Sequence, residues 1–235
     1  MLLGKKIIAI IPARSQSKGL KNKNIKKINS VPLLGYTGLF LDTLKYIDES
    51  IISTDSLKYQ KIAKKFNINS FFLRPKKLSG SSISDIQVID HAINYLNNIK
   101  KEKYDIILYL QPTSPNRKKE DMTKAIKILI KKKLDSVWSV TKIDKKFHPL
   151  KILKKNNNDG FNYYLDEGKD IIARQQLDDL YIRNGVFYIL NAKSFKKNKS
   201  LIGEKNLLYE IKSKSYNIDN LDDFNKFKDF QNEYN

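Results

Sequence analysis

Residues 7–11 (IIAII) form an unbroken apolar run between two lysines and Pro12, the pattern of a strand covered on both faces. After a polar loop, LLGYTGLFLDTLKYI (33–47) carries apolar residues at helical spacing. SIIST (50–54) predicts a second strand and SLKYQKIAKKF (56–66) a second helix, with Leu57, Ile62, Ala63 and Phe66 turned to the core. SFFL (70–73) predicts a third strand. In ISDIQVIDHAINYL (83–96), Ile83, Ile86, Ile89, Ile93 and Leu96 share one helical face. YDIILYL (104–110) is the most apolar strand, and a helix is expected from about Lys119 to Lys132.

Strands alternating with helices over the first 140 residues predict an α/β fold of βαβ units with a mostly parallel sheet. Ligands of such sheets bind at the carboxyl ends of the strands. The loop 12–24, Asp55, Arg74 and the turn 111–117 are all expected there. Beyond SVWSVT (136–141) the alternation stops. The polar stretch at about 142–180, with the turn signal NNNDG at 156–160, reads as an inserted arm of the kind that makes dimers. GVFYIL (185–190) and NLDDFNKFKDF (220–230) return to the core, so residues 1–235 are read as one domain carrying this insertion.

The formal charge of +20 invites a nucleic-acid reading. Yet of 45 basic residues only Arg14, Arg74, Arg117, Arg174 and Arg183 are arginine. Lysines spread along the whole chain suit a solvated surface, and no nucleic-acid partner is expected; a non-catalytic, basic polyanion-binding module is the alternative of another class. Where lysine is the default cation, an arginine suggests a site needing a fixed two-pronged donor. The absence of cysteine excludes disulfides and a thiolate nucleophile, and two histidines do not make a metal cage. The amino-terminal apolar run is far under the ~18 residues of a membrane span and lacks a cleavage site, so a cytoplasmic protein without a membrane partner is expected.

The loop PARSQSKGLKNKN (12–24) puts Arg14, Lys18, Lys21 and Lys23 around Gly19, after the first buried strand. Fixed cations and successive backbone N–H groups are what a triphosphate requires. The loop is neither a Walker loop nor a GxGxxG turn. IIPARSQSKGLKNKN closely resembles the amino-terminal signature of the acylneuraminate cytidylyltransferases, PARxxSKGxxxKN. The resemblance continues in order through STDS (53–56), FLRPKKLS (72–79), LQPTSPNR (110–117), HPLK (148–151), ARQQL (173–177), RNGVFYI (183–189) and NIDNLDDF (217–224), and so covers essentially the whole chain.

The resemblance implies a Rossmann-like nucleotide-diphospho-sugar transferase fold. It also implies an enzyme that joins CTP to an acidic nine-carbon sugar, releasing pyrophosphate. N-acetylneuraminic acid is the expected acceptor, with legionaminic, pseudaminic and 3-deoxy-manno-octulosonic acids as alternatives. By position, Arg14, Ser17, Lys18, Lys21 and Asn24 would hold the triphosphate and ribose. Arg74 would meet the cytosine, with Ser81, Ser84 and Asp85 lining the base pocket. Gln111 would bind the sugar, and Lys151, Arg174, Gln175 and Tyr188 its carboxylate and substituents, partly across a homodimer. An arginine such as Arg174 suits a carboxylate, a charged hydrogen bond contributing on the order of 1.5 to 3 kcal/mol.

Two departures from the family pattern stand out. Its Asp-Ile-Asp, which holds Mg²⁺ or Mn²⁺, is here Asn217-Ile218-Asp219. Period two in an extended segment leaves residues 217 and 219 on one side, so Asp219 is the expected ligand, helped more weakly by the Asn217 amide oxygen. The usual Asp-Thr after the arginine-proline block is Ser81-Ser82. Asp222 or Asp223 is expected to cap a helix, His91 to be structural and His148 to shape the arm. Arg14, Lys18, Lys21 and Asp219 are the catalytic candidates; no side chain stands out as general base.

Overall fold

The computed structural model describes residues 1–17, 19–157 and 159–233. The strands are β1 (Ile7–Pro12), β2 (Lys27–Ile28), β3 (Val31–Pro32), β4 (Glu49–Ser53), β5 (Ile106–Tyr109), β6 (Ser136–Lys142), β7 (Leu153–Lys155), β8 (Phe161–Tyr163), β9 (Tyr181–Asn191) and β10 (Asn206–Glu210). The helices are α1 (Leu33–Asp42), α2 (Leu57–Lys64), α3 (Asp85–Asn98), α4 (Lys119–Lys131), α5 (Ala192–Asn198) and α6 (Leu221–Glu233). A six-stranded sheet runs in the order β10-β6-β9-β5-β1-β4. β9 lies antiparallel to both β5 and β6, while the β1–β4, β1–β5 and β6–β10 pairs are parallel.

Both faces of the sheet are covered, which is why β1 has no polar alternation. Ile7, Ala9 and Ile11 point into one core with Leu34 and Phe40 of α1, Tyr59 of α2 and Ile126 of α4. Ile8 and Ile10 point into the other, with Val88, Ile89 and Ala92 of α3. A smaller third cluster joins Ile28, Leu33, Tyr216, Ile218, Phe224 and Phe227, with Leu20 packed against it. It fastens α6, the chain before it and the loop after β1 to one another.

Two expectations fail locally. Residues 70–73 form no strand. The chain meets β4 through an isolated bridge from Asn69 to Ile51 and again where Arg74 N donates to Thr54 O (2.7 Å), but between them it turns away. Phe72 leaves the sheet edge to pack edge-on against His91 (4.8 Å) and beside Tyr95 (5.0 Å), and its carbonyl accepts from the Gln60 side chain (2.7 Å). Leu57 of α2 is 64% exposed, and the core position falls instead to Tyr59. Leu57 is the first helical residue, one place after the cap: Ser56 Oγ accepts from Tyr59 N.

Between β6 and β9 the chain leaves the sheet through short 3-10 turns and the hairpin β7–β8. Phe147, Leu153, Phe161, Tyr164 and Ile172 of this stretch are all exposed. His148 caps one of its turns, its Nδ1 accepting from Leu150 N (3.2 Å). No helix among the described residues is long and apolar enough to cross a membrane.

Candidate active site

The loops at the carboxyl ends of β1, β4 and β5 enclose a cleft of about 570 Å³. Its first wall is the loop after β1. Asp55, just beyond β4, accepts from Ser15 N (2.7 Å) and Ser15 Oγ (2.9 Å), anchoring the base of that loop. The buried Asn24 donates to Arg14 O (3.2 Å) and fixes its far end. Arg14 then spans the cleft, its Nη1 reaching Gly80 O (2.9 Å). Ser17, Gly19, Lys23 and Asn24 line the cleft with it. Lys18 lies outside the described residues.

Lys21 is exposed and takes no part in the cleft lining; Lys23 is the lysine the loop turns inward. The reason is local. The chain passes from Asn22 in the left-handed region into a 3-10 turn at Lys23–Ile25, which reverses the side-chain direction. The Lys23 side chain is only 14% exposed, and its Nζ sits 2.8 Å from Asp219 Oδ1. The signature's own spacing, with lysine directly before Asn24, already pointed to residue 23.

The second wall holds Arg74, Gly80, Ser81, Ile83 and Asp85. Arg74 is 4% exposed and donates from Nε to Ser79 Oγ (3.3 Å). Its pKa is lowered chiefly by burial, against the opposing pull of Tyr109, Asp55 and Asp85. Tyr109, at the end of β5 on the cleft floor, donates to Asp85 Oδ1 (2.6 Å). Burial first, and then Asp85, push its pKa well above the usual value, so Tyr109 is a fixed donor. Ser84 is not in the lining: it caps α3, its Oγ accepting from Gln87 N (3.3 Å) while Gln87 Oε1 accepts from Ser84 N (3.0 Å). A reciprocal capping box stabilises a helix start by about 1 kcal/mol. It also holds Asp85 at the cleft. His91 of α3 packs behind this wall, with its pKa lowered by burial and then by Arg74.

The third wall joins Gln111, Pro112 and Thr113 to Asn217 and Asp219. The turn after β5 grips the later segment at three points. Asn116 Nδ2 donates to Lys214 O (2.6 Å), Asn116 Oδ1 accepts from Tyr216 N (3.2 Å), and Thr113 O accepts from Ile218 N (2.8 Å). Arg117 holds the turn itself, donating to Val186 O (2.7 Å), Thr37 Oγ1 (3.2 Å) and Gln111 O (2.6 Å). Both oxygens of Asp219 carry donors, Lys23 on Oδ1 and Asn217 Nδ2 on Oδ2 (2.8 Å). Asp223 Oδ2 accepts from Asp219 N (2.9 Å) and Asn220 N (3.2 Å), the capping role expected of it, whereas Asp222 pairs with Lys226.

The remaining sugar-site candidates lie elsewhere. Tyr188 is buried in β9 beside the cleft floor, edge-on to Trp138 (4.9 Å) and 6.4 Å from Tyr109. Arg174 and Gln175 border a separate depression with Lys142, Asp144, Lys145 and Asp179, and Arg174 pairs with Asp144 (3.5 Å). Lys151 is exposed in a turn before β7. The structure thus brings Arg14, Ser17, Asn24, Arg74, Ser81, Asp85, Gln111, Asn217 and Asp219 to one cleft and leaves Lys21, Ser84, Lys151, Arg174, Gln175 and the buried Tyr188 out of its lining. Thr113 and Asn116 are supports that residue type alone did not single out, whereas Asp55 and Arg117, already expected at this end of the sheet, serve as anchors and Lys23 as a lining cation.

The sequence pattern of the Cytidylyltransferase family matches residues 8–233. The chain belongs to the cytidylyltransferase family. It is 33% identical over 221 residues to the N-acylneuraminate cytidylyltransferase of Escherichia coli O18:K1:H7, a match covering 93% of this chain and 50% of that protein. The chain therefore spans about half the length of that relative. It is 32% identical over 218 residues to the CMP-N,N'-diacetyllegionaminic acid synthase of Legionella pneumophila, covering 91% of each. Among solved structures, a CMP:2-keto-3-deoxy-manno-octonic acid synthetase complexed with CTP superposes with a TM-score of 0.72 at 14% identity, over 98% of this chain and 100% of the other. The cytidylyltransferase sheet and its covering helices are therefore those of a nucleotidyltransferase fold.

Proposed function

We propose that this cytidylyltransferase transfers CMP from CTP to an acidic nine-carbon sugar, with N-acetylneuraminic acid as acceptor. One observation carries the proposal: a single cleft holds loop cations on one wall, the Arg74–Asp85–Tyr109 group on another and Gln111 on the third, beside Gly185 of β9. Arg14, Lys23 and the backbone around Ser17 and Gly19 take the triphosphate. Arg74, Ser81 and Asp85 take the base, whose edge offers both an amino donor and carbonyl and ring-nitrogen acceptors. Gln111, over a floor that Tyr188 backs from β9, orients the sugar so that its anomeric hydroxyl meets the α-phosphorus in line, and the cations stabilise the departing pyrophosphate. Lys21, exposed on the same loop, adds to the positive field beside the cleft. N,N'-diacetyllegionaminic acid is the second acceptor reading, favoured by the relative that matches end to end.

Asp219 and the Asn217 amide oxygen suit a hard cation such as Mg²⁺, or Mn²⁺, but carry only one full negative charge. Among the described residues no cluster of three acidic or histidine side chains could hold a metal. Substrate phosphates must therefore complete the coordination, as is usual for Mg²⁺ at one or two carboxylates. The ion, when bound, would neutralise phosphate charge. For Asp219 to reach it, Lys23 or the Asn217 amide has to yield an oxygen.

The test is incubation of the full chain with CTP, Mg²⁺ and each candidate acid, scoring CMP-sugar and pyrophosphate. Asn217→Asp is expected to lower the Mg²⁺ concentration for half-maximal rate by roughly tenfold, about 1.4 kcal/mol for the added charge. No turnover with any acid, together with tight and salt-steep RNA binding, would replace the enzyme by a polyanion-binding protein.

The exposed apolar residues between β6 and β9 fit a second copy of the chain. Pairing there would bring Lys151, Arg174 and Gln175 toward a neighbouring sugar site. Sedimentation equilibrium is expected to give twice the 27.4 kDa chain mass. A monomer at micromolar concentration would remove the shared site.

A further inference from the structure

β9 does not pair evenly with β6. Trp138 faces Tyr188 and Val140 faces Arg183, so residues 184–187 crowd opposite Ser139 alone. Such a bulge re-aims side chains and is common beside active sites. This one is built, not frayed. Asn184 is 7% exposed; its Oδ1 accepts from Ser139 Oγ (2.7 Å) and from Val186 N (3.2 Å), and its Nδ2 donates to Thr141 Oγ1 (3.1 Å). Ser139 Oγ in turn accepts from Phe187 N (2.9 Å). At its crest Gly185 has φ 71°, and a Cβ there would stand 2.8 Å from Ser114 Oγ and 3.0 Å from Gln111 Oε1. The bulge therefore lays backbone against Gln111, and it turns Arg183, two residues earlier, across the Trp138 indole.

The Arg183 guanidinium lies 5.7 Å from the centre of that ring. Arg14 and Arg74 bond to the cleft walls, Arg117 to two backbone carbonyls and the Thr37 hydroxyl, and Arg174 to Asp144. Among the described residues, Arg183 forms only the contact with Trp138 and an electrostatic interaction with Tyr188. A weakly hydrated, planar fork steadied on an aromatic face, with its N–H groups uncommitted, is pre-organised for a carboxylate. Its Cα is two residues, at most about 7 Å of chain, from that of the glycine against Gln111.

We infer that Arg183 binds the carboxylate of the acid sugar and so sets the preference for acidic acceptors. The inference rests on the proposed function. Arg174 differs: it sits on the stretch between β6 and β9 and already pairs with Asp144.

The experiment uses the full chain, CTP and two unreactive competitors of the sugar: its 2-deoxy form, which lacks the attacking hydroxyl, and the C1 methyl ester of that form. Arg183→Ala is expected to weaken inhibition by the acid about tenfold, the scale of one charged hydrogen bond, while leaving inhibition by the ester and the KM for CTP unchanged. Arg183→Lys is expected to fall between. Trp138 is the one tryptophan of the chain, so the acid should alter its fluorescence in the wild type and not in Arg183→Ala. Equal weakening of both competitors, or of neither, overturns the assignment while CMP transfer by the wild type stands. A wild type that transfers CMP to no acid sugar overturns the reading of the cleft as well.

Discussion

Arg117→Met is expected to lower stability by about 3 kcal/mol, which in a chain of this size lowers the thermal midpoint by roughly 6 to 12 °C. Its three bonds go to Val186 O, Thr37 Oγ1 and Gln111 O, and its guanidinium lies 6.0 Å from the Phe40 ring. No carboxylate among the described residues offsets the charge, and burial lowers the guanidinium pKa from the usual arginine value to about 9. An uncompensated charge is costly to shield from water. Methionine removes that cost but leaves acceptors facing an apolar chain, and the orphaned acceptors outweigh the relief because the turn 111–117, β9 and α1 then lose their common tie. Arg117→Lys keeps the charge and loses the fork, so an intermediate midpoint is expected. Circular dichroism melts of the three proteins decide it. A methionine variant as stable as the wild type would mean that the desolvation term wins and the arginine is not the clamp.

Five arginines among forty lysines do mark places where a planar fork is needed. At Arg117 the fork takes two backbone carbonyls and the Thr37 hydroxyl, because a turn carrying Gln111 has to be tied to two elements distant in sequence. Sequence alone does not separate that use from anion binding, since the donors required are the same.

What the chain made legible was whatever burial dictates locally. β1, β4, β5 and β6 fall where short apolar runs occur, and the α3 face follows its isoleucines. Residues 70–73 look like a strand because two phenylalanines have high strand propensity in any apolar setting, whereas Phe72 is used as a plug against His91 and Tyr95. β10 is not legible in the sequence: NLLYE spans only five residues at the sheet edge and shows no apolar alternation, although alternate residues face solvent. Within the site, loop membership was readable but side-chain direction was not. Lys21 and Lys23 differ by two places, and the left-handed Asn22 between them decides which one turns inward.

Gly19→Ala is expected to reduce kcat/KM for CMP transfer by about 100-fold, the cost of a displacement near 1 Å in a positioning element, with little change in thermal midpoint. The backbone of Gly19 does not require glycine; the space does. A Cβ would overlap the carbonyl oxygen of Asp219. That oxygen belongs to a segment that cannot retreat: Ile218 is fully buried, Ile218 N is held by Thr113 O (2.8 Å) and Asp219 N by Asp223 Oδ2 (2.9 Å). The loop must move instead. Its base is fixed to Asp55 through Ser15 and its far end to Arg14 through Asn24, so the strain falls on the middle, where Ser17 and Lys23 face the cleft. Lys23 would then part from Asp219, and the triphosphate would lose a cation from its place. Gly80→Ala is the matched control, for Gly80 also lines the cleft but its Cβ would meet only Ile83, at 3.8 Å; near-wild-type activity is expected. Steady-state kinetics on both variants separate the cases. Equal activity in the two would show that the contact between the loop and the Asp219 segment does not govern transfer, and the cleft would then have to position CTP by its other two walls.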